Sequence, residues 1–447
     1  MADLSIDCAG IRSPNPFWLA SAPPSNSGYQ VMRAFEQGWG GAVWKTIGPP
    51  VMNTVNRYGA LTLGGQKLAG INNIELISDR PMEDNLREIA EVKRRFPDRA
   101  VIVSLMVEST REAWREAVKR AEDTGCDGLE LNFGCPHGMS ERGMGSAVGQ
   151  VPEYSRMITE WVKETATTPV LVKLSPNITN ILGPARAAVQ GGGDGVSLIN
   201  TINSIIGVDL DTFDLTPSVA GKGGHGGFAG PAVKPIALHM VSQIACDAEC
   251  AGIPISGIGG VATWRDAAEF IALGASSVQV CTSVMHYGFR IVEDLCDGLS
   301  NWLDAKGIAS VRDIIGRSLP RVSDFGDLDL TYKTVAHINP DTCIRCNMCY
   351  IACEDGAHQC IDLVSTGVGS RHYVQPTVRA SDCVGCDLCS LVCPVQDCIT
   401  MQPVPSAAQQ RGEGPLSWKE LTGQLPQSFT WGDFVQAIGP EHVGGHK

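Results

Sequence analysis

Eight of the seventeen cysteines stand in two short runs after residue 340, with a spacing that suits iron–sulfur chemistry. Both runs have the pattern C-x2-C-x2-C-x3-C, and the second is followed by Pro394. In such pairs of runs, three thiolates of one run hold one cubane and the fourth cysteine reaches the other cluster. The spacing therefore predicts two [4Fe–4S] clusters. Their ligands are Cys343, Cys346, Cys349 and Cys393 for cluster one, and Cys383, Cys386, Cys389 and Cys353 for cluster two.

A pair of zinc sites is the alternative for these cysteines, but zinc ribbons use paired C-x2-C knuckles rather than runs of four. The segment resembles a bacterial-type two-cluster ferredoxin. It departs from that pattern at Glu354, where the first run lacks its proline, and in the longer stretch between the runs. The remaining cysteines are interpreted as small core or surface residues; they include Cys8, Cys126, Cys246, Cys250, Cys296, Cys360 and Cys398.

Another cysteine, Cys135, lies in the segment NFGCPHG (132–138), directly after an apolar run. A thiol on a glycine-containing loop that can close over a substrate is placed to donate or accept a proton at carbon. A buried structural cysteine is the alternative. The flanking Pro136, His137 and Gly138, together with the position after a strand, favour the catalytic role.

Eight short apolar runs alternate with helical patterns between about residues 16 and 305, which predicts parallel strands covered by helices. Eight such units suit a closed (β/α)8 TIM barrel, with an open doubly wound sheet as the alternative. The runs are PFWLASA (16–22), GGAVWKT (40–46), AVIVSLM (100–106), GLELNFG (128–134), PVLVKLS (169–175), GVSLINT (195–201), PISGIGG (254–260) and SVQVCTS (277–283).

Polar residues and glycines at the ends of these runs are expected to surround one cavity, because strand ends converge on one face of a barrel. Clusters carry single electrons, whereas organic substrates take two as a hydride; a flavin does both, so FMN is expected in this cavity. Gly257, Gly259 and Gly260, with Cys281 and Thr282, suit its phosphate. Lys45 and Lys173 suit the pyrimidine part of its ring, unless they form surface salt bridges instead.

Composition narrows the class of protein. The formal charge of −13 opposes binding to nucleic acid or to an anionic membrane surface. No apolar stretch is long enough for a membrane span, and the N-terminus does not have the pattern of a secretory signal, so a cytoplasmic location is expected. The predicted domains of this α/β protein are a barrel (1–305), a linker (306–335), a C-terminal two-[4Fe–4S] ferredoxin domain (336–403) and a tail (404–447).

Six stretches and the cluster domain together resemble the dihydropyrimidine dehydrogenase family, and within it the FMN and iron–sulfur subunit of the bacterial NAD-dependent enzymes. The resemblance covers about residues 1–403. The stretches are LASAPPSNSGYQVMRAFEQGWGGAVWKT, INNIELIS, LELNFGCPHGMSERGMG, VKLSPNIT, LINTINS and GGFAGPAVKPIAL.

The resemblance implies reduction of uracil and thymine at the C5–C6 bond, with hydride from FMN and a proton from Cys135. The implied FMN-binding residues are Ser21, Lys45, Thr46, Asn132, Lys173, Gly227, Gly259, Gly260, Cys281 and Thr282. The implied substrate-binding residues are Asn73, Asn132, Phe133, Gly134, Asn200 and Thr201. The amides among them complement the N–H and C=O edge of uracil, although asparagines at these positions could also serve turns or strand ends. Gly134 departs from the serine that is frequent in the family.

The source of the electrons is expected to be another chain. No strand is followed by a G-x-G-x-x-G turn with a downstream acid, so no nicotinamide site is predicted here. The resemblance implies that an FAD- and NAD-binding partner subunit passes electrons from NADH through the clusters. Two alternatives remain open from the sequence: a dihydroorotate dehydrogenase-like oxidoreductase, and a module that only relays electrons.

Overall fold

A computed structural model describes residues 1–52, 54–63, 66–135, 143–328, 333–365, 367 and 374–404. The predicted tail, apart from Val404, lies outside the described residues, and so does the part of the cysteine loop at 136–142. The chain forms two compact units, the first Met1–Val322 and the second beginning at Ser323.

Eight strands of the first unit close into a parallel barrel in which each pairs with the next along the chain and the last pairs with the first; they are β3, β4, β7, β8, β9, β10, β13 and β14. This confirms the predicted (β/α)8 barrel, and the alternative interpretation, an open doubly wound sheet, is wrong. The strands of this unit are β1 (Ile6–Cys8), β2 (Ile11–Ser13), β3 (Phe17–Leu19), β4 (Gly41–Ile47), β5 (Tyr58–Leu63), β6 (Gln66–Asn73), β7 (Ala100–Leu105), β8 (Gly128–Asn132), β9 (Val170–Lys173), β10 (Gly195–Leu198), β11 (Ile202–Ser204), β12 (Gly226–Ala229), β13 (Ile255–Ile258) and β14 (Ala275–Val280).

Amphipathic helices cover the barrel, and their buried faces pack on its outer surface. Threonine side chains begin two of them: Thr110 accepts a hydrogen bond from the N–H of Ala113, and Thr263 accepts one from that of Asp266. The helices are α1 (Gly28–Glu36), α2 (Met82–Arg95), α3 (Arg111–Glu122), α4 (Ser146–Gly149), α5 (Pro152–Lys163), α6 (Leu182–Gln190), α7 (Lys234–Cys246), α8 (Trp264–Ala272), α9 (Thr282–Tyr287) and α10 (Ile291–Ala305).

Two additions close the ends of the barrel. The β1–β2 hairpin covers the amino ends of the strands, because Ile11 packs against Gly128 at the start of β8. A four-stranded antiparallel sheet in the order β11-β12-β6-β5 lies at the carboxyl ends and brings Asn73 and Phe228 to the cavity there. Part of the predicted linker belongs to this unit, since Val311 and Ile314 are buried in its core.

The second unit is built from two similar halves, because its cysteine runs repeat with an offset of 40 residues. In each half a loop leads into a helix that carries the third cysteine of the run, and the residue before that helix, Asn347 or Asp387, has a left-handed backbone. The elements are β15 (Lys333–Ile338), α11 (Met348–Gly356), β16 (Ile361–Ser365), β17 (Val374–Val378), α12 (Leu388–Leu391) and β18 (Ile399–Val404). β15 pairs with β18 and β16 with β17, both antiparallel.

Gly48, directly after β4, tests the packing at the carboxyl ends of the barrel. A Cβ atom there would lie 2.0 Å from the carbonyl oxygen of Met106, a backbone atom that cannot move alone. We expect Gly48→Ala to lower the free energy of unfolding by about 1–3 kcal/mol or more in urea titrations. The control is Gly224→Ala, where no atom lies within 4 Å, and equal losses in both variants would contradict the packing described.

Candidate active site

A cavity opens at the carboxyl ends of the barrel strands. Its wall contains thirteen of the residues that the sequence predicts for FMN, substrate and catalysis, although these come from all parts of the barrel. They are Ser21, Lys45, Thr46, Asn73, Asn132, Cys135, Lys173, Asn200, Thr201, Gly259, Gly260, Cys281 and Thr282.

Three predicted residues do not line the cavity, namely Phe133, Gly134 and Gly227. The ring of Phe133 is buried and meets that of Trp114 on α3 edge to face, with 6.1 Å between ring centroids. Its side chain therefore belongs to the packing between β8 and α3, outside the cavity.

The two glycines lie behind the polar wall and allow close contacts there. A Cβ atom at Gly134 would lie 2.6 Å from Cβ of Asn200, and one at Gly227 would lie 2.1 Å from Oγ1 of Thr201. The carbonyl of Gly227 also accepts a hydrogen bond from Nδ2 of Asn73 at 2.7 Å. Both glycines thus set the positions of side chains that do face the cavity.

The asparagines form one hydrogen-bonded wall. Asn132 donates through Nδ2 to Oγ1 of Thr46 at 2.9 Å, and its Oδ1 accepts from Nδ2 of Asn200 at 3.1 Å. The side chain of Asn200 also accepts from the N–H of Thr201 at 2.8 Å. A primary amide nitrogen carries two hydrogens, so these contacts fix the orientation of each amide and leave donor capacity for a ligand.

Lys45 is held by a carboxylate that sequence analysis missed. Its Nζ lies 2.7 Å from Oε1 of Glu75, whose other oxygen accepts from the hydroxyl of Tyr58 at 2.7 Å. Burial by itself would raise the pKa of Glu75, but the charge and hydrogen bond of Lys45, with the hydrogen bond of Tyr58 and the charge of Arg57, together hold the pKa below its usual value. Burial, with the hydrogen bond to Glu75 added, raises the pKa of Tyr58, so its hydroxyl stays a proton donor.

Lys173 reaches a second carboxylate inside the barrel. Its Nζ lies 3.6 Å from Oε1 of Glu130, which is fully buried. The other oxygen of Glu130 accepts from Oγ of Ser197 at 2.8 Å and from Nε2 of Gln279 at 3.1 Å. Glu130 and Gln279 were missed by sequence analysis, although a polar side chain within an otherwise apolar buried strand was a usable signal.

The far end of the cavity has the surface that a phosphate requires. Gly259 and Gly260 have φ of +131° and +76°, values that favour glycine, and a Cβ at Gly260 would lie 2.9 Å from the backbone nitrogen of Lys234. Both positions therefore require glycine, and the backbone of both lines the cavity. Burial raises the pKa of the neighbouring Cys281 thiol to about 11, which keeps a negative charge off this region. Gly257 instead lies within β13 and packs against Phe270.

The fit to FMN follows from this cavity, whose wall combines the backbone of two glycines, two lysines and hydrogen-bonding side chains. Gly259 and Gly260 would face the phosphate, and Lys45 and Lys173 the flavin ring.

The second unit contains two cysteine-lined cavities. Among the described residues, no group of three His, Cys, Asp or Glu side chains is placed to hold a single metal ion. The cysteine sulfurs instead surround two cavities, an arrangement that suits clusters of several iron atoms rather than single metal ions. The first cavity is lined by Cys343, Cys346, Cys349, Cys393 and Cys398, and the second by Cys353, Cys383, Cys386, Cys389 and Cys360.

Comparisons with known proteins agree with both units. A family model described as dihydroorotate dehydrogenase matches residues 3–303, and one described as a 4Fe-4S dicluster domain matches residues 336–401. The NAD-dependent dihydropyrimidine dehydrogenase subunit PreA of Escherichia coli (strain K12) is 41% identical over 403 residues, which cover 90% of this chain and 96% of that protein. The chain belongs to the dihydropyrimidine dehydrogenase family.

As a member of this family, the protein is an oxidoreductase whose cofactors are FMN and two [4Fe–4S] clusters. Membership of the dihydropyrimidine dehydrogenase family supports the reduction of pyrimidines as the general activity of this protein. Another relative, the chloroplastic dihydropyrimidine dehydrogenase (NADP(+)) of Arabidopsis thaliana, is 42% identical over 337 residues, which cover 73% of this chain and 79% of that protein. Among the described residues, no helix has the length and apolar character needed to cross a membrane.

More distant similarities concern the barrel. The catalytic subunit of dihydroorotate dehydrogenase B (NAD(+)) from Pyrococcus abyssi is 36% identical over 316 residues, covering 71% of this chain and 99% of that protein. A crystal structure of a dihydroorotate dehydrogenase from Eimeria tenella in complex with ferulenol superposes with a TM-score of 0.59 at 22% identity. It covers 70% of this chain and 88% of that one, and at this identity it shows the fold alone.

The buried pair of Lys173 and Glu130 predicts an unusual order of stabilities. Lys173→Met leaves the carboxylate of Glu130 buried without its cation, which should cost about 3–5 kcal/mol of unfolding free energy. Adding Glu130→Gln removes the unpaired charge, so the double variant should be more stable than Lys173→Met alone. Urea unfolding with excess FMN measures both. A double variant that is no more stable than the single one would contradict this pairing.

Proposed function

We propose that this protein reduces the C5–C6 double bond of uracil or thymine to the 5,6-dihydropyrimidine. The observation that carries this proposal is the meeting of an asparagine-rich wall and Cys135 in one cavity, beside a surface suited to FMN. An amide-lined wall, a buried thiol or a glycine-rich phosphate surface can each occur in unrelated sites. Reduction of a neutral imide by a flavin, with a proton delivered to carbon, requires all three together.

In this proposal the residues predicted for FMN would hold it along the lysine side and the glycine end of the cavity. Bound FMN supplies the hydride that is added at C6 of the base. Lys45 and Lys173 would place positive charge beside its pyrimidine ring, where reduction develops negative charge. Glu75 and Glu130 would keep both ammonium groups in position through their ion pairs.

The substrate would lie against the amides of Asn73, Asn132 and Asn200, with Thr201 beside them. The imide edge of uracil alternates N–H donors with C=O acceptors, and an asparagine amide can pair with both. Because the amides already bond to one another and to neighbours, they need little reordering when the base binds.

Cys135 would donate the proton at C5. It is only 8% exposed and packs with Ile77, Met106 and Met144, so the thiol faces the cavity from apolar surroundings that restrict water. Proton transfer from a positioned acid is specific when solvent does not compete for the site. The N–H of Ser146 donates to the carbonyl of Cys135 at 3.0 Å, which fixes the backbone that carries the thiol.

Electrons would reach the flavin through the clusters from an FAD- and NAD-binding partner subunit that oxidises NADH. The relative from Escherichia coli is named as one subunit of an NAD-dependent enzyme, which supports a partner of this kind. Cluster one would be held by Cys343, Cys346, Cys349 and Cys393, and cluster two by Cys383, Cys386, Cys389 and Cys353, which is the grouping of sulfurs in the two cavities.

Dihydroorotate oxidation is the second candidate, favoured by the family model that matches the barrel. Orotate differs from uracil by a carboxylate, which calls for a cation of its own. Lys45 and Lys173, the lysines in the described wall of the cavity, are each already paired with a carboxylate, and so is the nearby Arg57. A neutral pyrimidine therefore fits this cavity better.

Replacement of the thiol tests the catalytic acid. Cys135→Ala should reduce NADH-dependent uracil consumption by the complex with its partner about 10²–10⁴-fold, because the proton at C5 loses its donor. The FMN absorbance and iron content should stay at wild-type levels. Cys246→Ala, at an exposed position on α7, is the matched control and should retain full turnover. Near-normal turnover in Cys135→Ala would refute the role.

A substrate comparison tests the choice of base. With uracil, thymine and dihydroorotate assayed in parallel, kcat/KM should be at least about a hundredfold higher for the two neutral bases, because a site of paired polar groups discriminates strongly against an unmatched charge. A preference for dihydroorotate would replace the proposed function with the second candidate.

A further inference from the structure

Cys360 adds a fifth sulfur beside the four predicted ligands of cluster two. It stands at the end of the segment after α11 and is 4% exposed, so it is enclosed within the second unit. Its side chain lines the same cavity as the four predicted ligands. A small buried cysteine was expected at this position, but its contacts go beyond packing.

Two atoms of Cys360 lie within hydrogen-bonding distance of one ligand sulfur. Its Sγ lies 3.5 Å from Sγ of Cys353, and its backbone nitrogen lies 3.4 Å from the same atom. A cysteine that ligates iron is a thiolate without a hydrogen, so between these two sulfurs the hydrogen must belong to Cys360. Cys353 would therefore accept an S–H···S bond and an N–H···S bond from one residue.

Cluster one has a spare cysteine in the matching place, but with a different contact. Cys398 is 2% exposed and lines the cavity with the four predicted ligands of cluster one. Its Sγ lies 3.8 Å from the carbonyl oxygen of Asn339, so this thiol has a backbone acceptor, and it also interacts with the side chain of the predicted ligand Cys393. The two halves thus share the cysteine spacing but differ in the contact of the extra thiol.

We propose that Cys360 is a non-ligating fifth thiol of the cluster-two site, whose S–H bond to Cys353 raises the reduction potential of that cluster. This rests on the ligand assignment given under the proposed function. Hydrogen bonds to cluster sulfurs stabilise the more negative reduced state, because they offset the added charge. The role of Cys360 is to position a hydrogen, and Cys353 remains the residue that binds iron.

The experiment is a redox titration of the whole subunit, carrying FMN and both clusters, followed by electron paramagnetic resonance of the reduced clusters. In Cys360→Ala, one of the two cluster steps should move to a more negative potential while the other stays in place. Cys360→Ser keeps an O–H donor at the site and should return that step towards its wild-type position. Iron content should remain at about eight atoms per chain in both variants, four for each cluster.

Cys398→Ala is the matched control, since it removes a buried thiol beside the other cluster. It should leave unmoved the step that Cys360→Ala shifts. A fall in iron towards four atoms in Cys360→Ala would identify Cys360 as a ligand and overturn the proposal, and so would an unchanged potential or the same shift in both alanine variants. None of these readouts uses a substrate, so failure here is distinct from failure of pyrimidine reduction.

Discussion

A charged group inside a barrel must be paired, and this requirement organises the candidate active site. Lys173 is the last residue of β9 and Glu130 lies in the middle of β8, both in the buried interior, where an unpaired charge would cost several kcal/mol. Their pairing allows a cation to stand in the wall of the cavity within an otherwise apolar interior. Lys45 forms a similar buried ion pair with Glu75, which lies in the segment after β6. The lysines are thus ordered before any ligand arrives.

Limited space imposes a second constraint, on the polar wall. Asn200 can lie against the segment after β8 because Gly134 has no side chain, and Thr201 can lie against β12 because Gly227 has none. A serine at position 134 would require Asn200 to move away from Asn132, since its Cβ would overlap the Cβ of Asn200. Glycine at position 134, in place of the serine frequent in the family, therefore affects the substrate wall through the position of Asn200. Gly134 itself does not line the cavity.

The barrel could be predicted from the sequence because parallel strands buried on both faces have continuous apolar sequences. Each of the eight apolar runs contains one strand of the barrel. Lys45, Lys173, Asn132 and Asn200 were recognisable because they interrupt or end those runs, whereas Asn73 was implied only by the family resemblance. The antiparallel cover of β5, β6, β11 and β12 was not predicted, since its strands are partly exposed and its two halves are joined by β6 and β12, which pair across more than a hundred residues. Glu75 and Tyr58 belong to that cover, so the partner of Lys45 could not be read from the barrel pattern.

The cluster unit shows why spacing predicts ligands better than it predicts their environment. The three cysteines of one loop are local neighbours, so the pattern alone places them around one cubane. The extra thiols are not part of the repeat, because Cys360 follows Cys353 by seven residues and Cys398 follows Cys393 by five. Cys360 lies beside the ligand Cys353 through both its thiol and its backbone N–H, whereas Cys398 has a backbone carbonyl within reach of its thiol in addition to the ligand Cys393. Two sites with identical ligand spacing can therefore present unequal hydrogen bonding to their clusters, and the potential of each depends on contacts that the repeat does not encode.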